Sequence, residues 1–270
     1  MKNSIIFILS IILPLALNSC SADSDNSQDF DFNELLVKWE LTYQNVCTTV
    51  EDAVKLPEPW NVDVARTFVI SDETIRSMST CGLLDTYLTF PSYPDPNGGN
   101  FYNPAITEFN SNLRENRVAL ALFERSDCFP VLASKYLTCI KEIKPIEKNP
   151  FDKIWGDIDN LEWLLASDMC MTVSNVKEKN QLMAMALVFE EKSKANDQFW
   201  LNSYNIMISI MLWCNYKPFV KEVGPRIREG ACGYYLIDSE DDQWPSNILS
   251  ASHIELILKH AKKFLNKQNL

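Results

Sequence analysis

The chain has 270 residues, seven of them glycine, and a formal net charge of −11. Glycine normally makes up about 7% of a chain, so the shortage leaves little material for tight hairpins or phosphate-binding loops, and neither G-x-G-x-x-G nor G-x-x-x-x-G-K-[ST] occurs. The acidic balance excludes nucleic acid and argues against anionic lipid headgroups, because both require clustered Lys and Arg.

Lys2 is the only charge before an apolar run at residues 5–17. At ~1.5 Å per residue this run makes roughly 20 Å of helix, short of the ~30 Å hydrocarbon core, and Pro14 would disturb it further. A basic start, a short apolar centre and small residues at the end describe an export signal that is later removed. The run closes on Leu17-Asn18-Ser19-Cys20, which resembles the lipobox of bacterial lipoproteins. That resemblance implies cleavage after residue 19 and a Cys20 carrying a diacylglycerol thioether plus an N-terminal acyl chain such as palmitate. Several chains anchor stably where one binds only marginally. By its resemblance to enteric lipoproteins, Ser21 after the cysteine implies the outer membrane, facing the periplasm or the cell surface.

Residues 20–30 are expected to be a tether. Asp23, Asp25, Asp29 and the following Asp31 come with no positive charge, the composition of a solvated spacer. The stretch resembles the acidic tethers of Bacteroidetes lipoproteins displayed on the cell surface. Residues 31–270 are expected to form one domain.

Phe32, Leu35, Leu36, Trp39, Tyr43, Val46 and Val50 recur at three- and four-residue steps, which predicts a helix of about six turns. Within residues 71–91, Ser71 and Ser79 are the expected N-caps of two short helices stopped by Pro91. The segment 91–104, PSYPDPNGGNFYNP, is the clearest loop. Long loops of this kind are often functional, and Tyr93, Phe101 and Tyr102 are candidate stacking residues for a sugar or a peptide. The same aromatics could instead pin the loop to the helices beneath it.

Helical patterning resumes with Ile106, Phe109 and Leu113 and continues through NRVALALFE. Ser126 is expected to cap SDCFPVLASKYLTCIKE, with Pro130 tolerated in the first turn, and KPIEKNP to be a linker. Ile154, Ile158, Leu161, Leu165 and Met169 form one stripe; Leu182, Met185, Ala186 and Phe189 form another. Residues 199–213, FWLNSYNIMISIMLW, are apolar nearly all round and predict a central buried helix. The last helix runs from about Ser250 to Lys267 with Ile254, Ile257, Leu258, Ala261 and Leu265 inward. The sum is an all-α fold of some nine or ten helices, and the echo of NRVALALFE/SDCFPVLASKY in MAMALVFEE/NDQFWLNSY hints at helix-hairpin repeats. The pattern STCGLLDTYLTFP, FN, LFERSDCFPVLASKY also resembles helical lipoproteins of Bacteroidetes. That likeness implies fold and location and lends no activity.

Chemical signatures are sparse. His253 and His260 lie seven apart, about 10.5 Å along one helix, too far to share a metal unaided, and are expected at a polar edge of the core. Ser174-Asn175-Val176-Lys177 matches S-x-x-K without a K-T-G companion, so Ser174 is expected simply to cap the following helix. Besides Cys20 there are seven cysteines, at 47, 81, 128, 139, 170, 214 and 232. Export makes disulfides plausible, the odd number leaves a free thiol, and spacing assigns no pairs. Cys128 is a candidate nucleophile, since a first-turn position and Arg125 favour a thiolate, with Asp127 opposing. Asp238, Glu240, Asp241 and Asp242 concentrate oxygen ligands that calcium could use, without the spacing of an EF-hand; a solvated acidic turn would look the same.

No cofactor is expected. The sequence points to an outer-membrane-anchored helical lipoprotein that binds a protein or a glycan, not to an enzyme. One alternative is a carboxylate-dependent hydrolase of envelope or dietary polymers, which would need an acidic pair about 5–10 Å apart in a cleft. The other is a structural or assembly lipoprotein.

Overall fold

The computed structural model describes residues 32–48, 50–55, 69–89, 116–142, 153–193, 203–230, 233–236 and 251–267. Cys20, the 91–104 loop with Tyr93, Phe101 and Tyr102, the 144–150 linker, Cys232 and the run containing Asp238, Glu240, Asp241 and Asp242 lie outside the described residues. Among the described residues the chain is all-α, with eleven α-helices and one short β-hairpin. None of these helices is long and apolar enough to cross a membrane.

Helix α1 (Phe32–Tyr43) ends well before the sixth turn that its apolar period suggests. Asn45 takes the left-handed conformation at φ 64°, which Asn tolerates better than most residues, and Cys47 leaves the helix to bond Cys81. Helices α2 (Asp72–Ser77) and α3 (Thr80–Thr89) form as expected, with Ser71 Oγ accepting from Thr74 N–H and Ser79 Oγ from Gly82 N–H. Helix α4 (Arg117–Phe123) is capped by Asn116 Oδ1, which accepts from Val118 and Ala119. Helix α5 (Cys128–Glu142) starts two residues after Ser126.

The stripe from Ile154 to Met169 is split between α6 (Lys153–Ala166) and α7 (Asp168–Val173). Ser167 makes the break, its Oγ accepting from Cys170 N–H at 3.2 Å as the N-cap of α7. The next start is also reassigned: Asn175 caps α8 (Val176–Ser193) in a reciprocal capping box. Asn175 N–H donates to Glu178 Oε2 at 2.8 Å and Glu178 N–H to Asn175 Oδ1 at 3.0 Å. Ser174 instead ends α7, its Oγ donating back to Cys170 O at 2.7 Å.

Helix α8 is buried on every side from Lys179 to Glu190, not along one stripe, because α1, α5, α9 and α11 all pack against it. Helix α9 (Ser203–Trp213) is buried from Ser203 to Met211, as its all-round apolar character requires. It touches α6, α7, α8, α10 (Lys217–Glu222) and α11 (Ala251–Lys267). The α8–α9 pair is therefore the centre of the fold. On α11, Ile257, Leu258, Ala261 and Leu265 face inward and Phe264 joins them.

The hairpin of β1 (Ile227–Gly230) and β2 (Gly233–Leu236) pairs Gly230 with Gly233 across its turn and Ile227 with Leu236 at its open end. Its outer edge is not bare, since Tyr234 N–H donates to Asn205 Oδ1 of α9 at 2.9 Å.

Candidate functional site

The most unusual chemistry lies where α5, α6, α8 and α9 meet. Glu162 of α6 and Glu190 of α8 are both fully buried. Tyr136 of α5 donates its phenol hydrogen to Glu162 Oε1 at 2.8 Å. Tyr204 of α9 donates to Glu190 Oε1, and Ser203 Oγ lies 3.4 Å from Glu190 Oε2. The Tyr136 and Phe189 rings pack with centroids 5.6 Å apart. Each phenol is influenced by both carboxylates, and burial followed by that negative charge pushes both phenols far above their ordinary range. They remain hydrogen-bond donors across the accessible pH range. Such a network can fix the register of four helices, and no polymer can reach its carboxylates without opening the core.

Apolar periodicity does carry a trace of this cluster. Glu162 falls four residues after Ile158, and Glu190 four after Ala186, so both stand on stripes otherwise reserved for the core. A carboxylate on such a stripe needs a donor from a neighbouring helix, but which tyrosine supplies it depends on tertiary packing.

Cys128 lies at the start of α5 and is only 2% exposed. Burial first, then Cys170, Asp127 and Glu178, raise its thiol far above the usual range, so desolvation outweighs the helix dipole. Arg125 is turned away, donating to the carbonyls of Arg76 and Met78 at 3.1 Å each. The thiolate that a nucleophile requires is strongly disfavoured here.

The S-x-x-K match makes no serine–lysine pair. Lys177 is exposed, and the lysine that reaches Ser174 is Lys179, whose Nζ donates to the Ser174 carbonyl. Burial lowers the Lys179 pKa, while Cys214, Cys170 and Glu178 oppose the shift.

The two histidines serve different partners. His253 Nε2 is 3.0 Å from Arg226 Nη2, and His260 Nε2 is 3.0 Å from Glu222 Oε2. His260 is 2% exposed, flanked by Phe219 and Tyr216 with ring centroids 5.5 and 6.3 Å away, and its Nδ1 has no hydrogen-bond partner. Its pKa is lowered by burial against the opposing pull of Glu222, with Lys259 and Lys263 adding to the lowering. Among the described residues, no three His, Cys, Asp or Glu side chains gather as metal ligands.

No family model matches the chain, and neither a curated protein nor a solved structure matches it.

Proposed function

We propose that the chain is a lipid-anchored helical interaction module of the outer membrane, whose occupation is binding a protein or glycan partner. The observation that carries this reading is the sealed acid–phenol core. Glu162 and Glu190 are fully buried and hydrogen-bonded to Tyr136 and Tyr204, so these carboxylates serve cohesion. A carboxylate-dependent hydrolase would have to work with other acids.

Two further features support the reading. The Cys47–Cys81 disulfide suits a chain that matures in an oxidising compartment, in keeping with an export signal at residues 1–19 and a lipid at Cys20. Helix α1 buries Trp39 and Tyr43 and turns Val37 and Leu41, one helical turn apart, outward at 56% and 70% exposure. An apolar ridge of this kind is available to a partner.

Two measurements test the reading. Mass spectrometry of the mature N-terminus should find a lipidated Cys20; an uncut Met1 or an unmodified Cys20 ends the anchor. A photo-crosslinking residue at position 41 in intact cells should give a discrete adduct that one at exposed Glu73 does not. Equal, diffuse labelling at both positions would remove the binding reading.

A further inference from the structure

A net charge of −11 does not say where individual charges stand. Residues 203–270 hold eight basic side chains against seven acidic ones, close to balance, although the whole chain carries −11. Lys177, Lys217 and Lys267 share one end of the central helix pair with exposed apolar side chains.

Helices α8 and α9 run antiparallel, since Ser203 and Tyr204 at the start of α9 meet Glu190 near the end of α8. At the opposite end, Lys179 in the first turns of α8 interacts with Cys214 just past α9. Val173, Val176 and Lys177 on the α7–α8 junction therefore share this end with Trp213. Lys217 follows four residues on, and Lys267 Nζ stands 6.0 Å from the Tyr216 ring centre. Val173, Val176 and Trp213 are 46%, 58% and 50% exposed, and Lys177, Lys217 and Lys267 are exposed as well. The carboxylate of Glu178, also at this end, is turned back onto Asn175 N–H.

We propose that this end docks on the anionic surface of a lipid bilayer. Trp213, Val173 and Val176 enter the headgroup region, while Lys177, Lys217 and Lys267 meet headgroup phosphates. An indole flanked by small apolar side chains suits the membrane–water boundary, and lysines near an anionic leaflet each favour binding. A carboxylate farther away than about 8 Å does not cancel this attraction, because screening confines it to that range at physiological ionic strength.

For its geometry the proposal rests on the anchored reading. Phe32 lies twelve positions beyond Cys20, an extended reach of about 40 Å. Helix α1 is about 18 Å long, and Tyr43 at its far end hydrogen-bonds Gln181 near the docking end at 2.9 Å. A lipid at Cys20 can thus stay in the bilayer while this end lies flat on it.

The test reconstitutes the full chain into phosphatidylcholine vesicles, with and without phosphatidylglycerol, both carrying brominated acyl chains that quench nearby indoles. Trp213 is one of seven tryptophans, so anionic vesicles should quench about a seventh of the emission more than zwitterionic ones do. The excess should vanish in Trp213→Phe, in the triple variant Lys177→Gln, Lys217→Gln, Lys267→Gln, and in ~1 M salt, where the screening length falls to about 3 Å. Equal quenching in both lipids, or an unchanged excess in Trp213→Phe, overturns the proposal. So does shielding of Trp213 from aqueous iodide by soluble polygalacturonate with no vesicle quenching, which would assign the face to an acidic glycan. The mass of the N-terminus is read on the same preparation. An unlipidated chain with the excess quenching loses the anchor and keeps the docking face; a lipidated chain without it does the reverse.

Discussion

The carboxylate of Asp52 occupies the space that a side chain at position 82 would fill, and Gly82 leaves that space open. Asp52 sits there as a cap on α3: Ser79 N–H donates to Oδ2 and Ser79 Oγ donates to Oδ1 at 2.9 Å. Close approach, not a left-handed backbone, is what requires glycine. In an open helix Gly→Ala stabilises by about 1 kcal/mol; here Gly82→Ala should destabilise, because displacing Asp52 loses a cap worth about 1–2 kcal/mol. Asp52→Ala alone should cost a similar amount. The double variant should be more stable than either single one, since removing the carboxylate frees the space for the methyl group. Urea denaturation of the four proteins checks this, and simple additivity would show that the two residues do not compete.

The strap that carries Asp52, the segment between α1 and α2, is also fastened covalently at Cys47. Cys47 and Cys81 are 34 residues apart, and closing a loop of that length in the unfolded chain corresponds to roughly 3–4 kcal/mol. Cys47→Ala/Cys81→Ala should lower stability by that order. Two further ties on the same segment, Asp52 on Ser79 and Val54 N–H on Thr86 Oγ1 at 2.9 Å, should hold the strap in place. Circular dichroism should therefore show nearly native helix content at low temperature and an earlier thermal transition. An unchanged transition after reduction would mean that the bond closes no loop the unfolded chain would otherwise leave open.

How much of this was legible follows from what each feature depends on. The all-round apolar run ending at Trp213 and the caps at Ser71 and Ser79 depend on neighbouring residues alone, and the sequence displays them. Helix α1 ends early because of a disulfide partner 34 residues away, which periodicity cannot anticipate. The hairpin was concealed by the low glycine content, although Gly230 and Gly233 are the pair that flank its turn. Among candidate site residues, Cys128 was placed correctly on its helix. Its environment was not legible, because tertiary burial decides whether the dipole or desolvation governs the thiol. Glu162 and Glu190 were hidden among many acids, and only packing distinguishes a buried carboxylate from a solvated one.

Removing one phenol from the acid–phenol core leaves a buried carboxylate oxygen short of a donor. Tyr136→Phe and Tyr204→Phe should each cost about 1.5–3 kcal/mol, the range for hydrogen bonds to charged groups. Neither change alters packing volume much, so circular dichroism should stay native while the denaturation midpoint falls. A loss below about 0.5 kcal/mol in both variants would be too small for hydrogen bonds to charged groups and would show that the phenols do not hold the carboxylates in place.

His260 gives the fold an acid-sensitive contact. Its folded pKa is lowered from the ordinary 6.5, chiefly by burial, so the unfolded chain takes up the proton first. Its contribution is fully present above about pH 6.5 and declines as pH falls below that value. The stability of the native protein relative to His260→Gln should therefore shrink between pH 7 and pH 5. Denaturation midpoints of the pair across that interval test the sign; a gap that widens on acidification would mean that Glu222 governs the imidazole after all.

At the alkaline end the sign reverses, because buried thiols resist losing their protons. Burial is the largest cause for both Cys170, raised to about 11, and Cys139, raised to about 12, against an ordinary 9. Ser174 and Lys179 moderate the first shift, and Lys135 the second. The unfolded chain ionises first, so their contribution is intact below about pH 9 and is lost as pH rises toward 11 and 12. Each thiol should add a slope of about 1 kcal/mol per pH unit over that range. Cys139→Ala/Cys170→Ala should be the less stable protein at neutral pH, since two sulfurs are deleted from the core. It should nevertheless lose less on going from pH 9 to pH 11, bringing the two curves together. Parallel curves over that interval would show that these thiols can ionise in place, and that the core around α5 and α7 admits water.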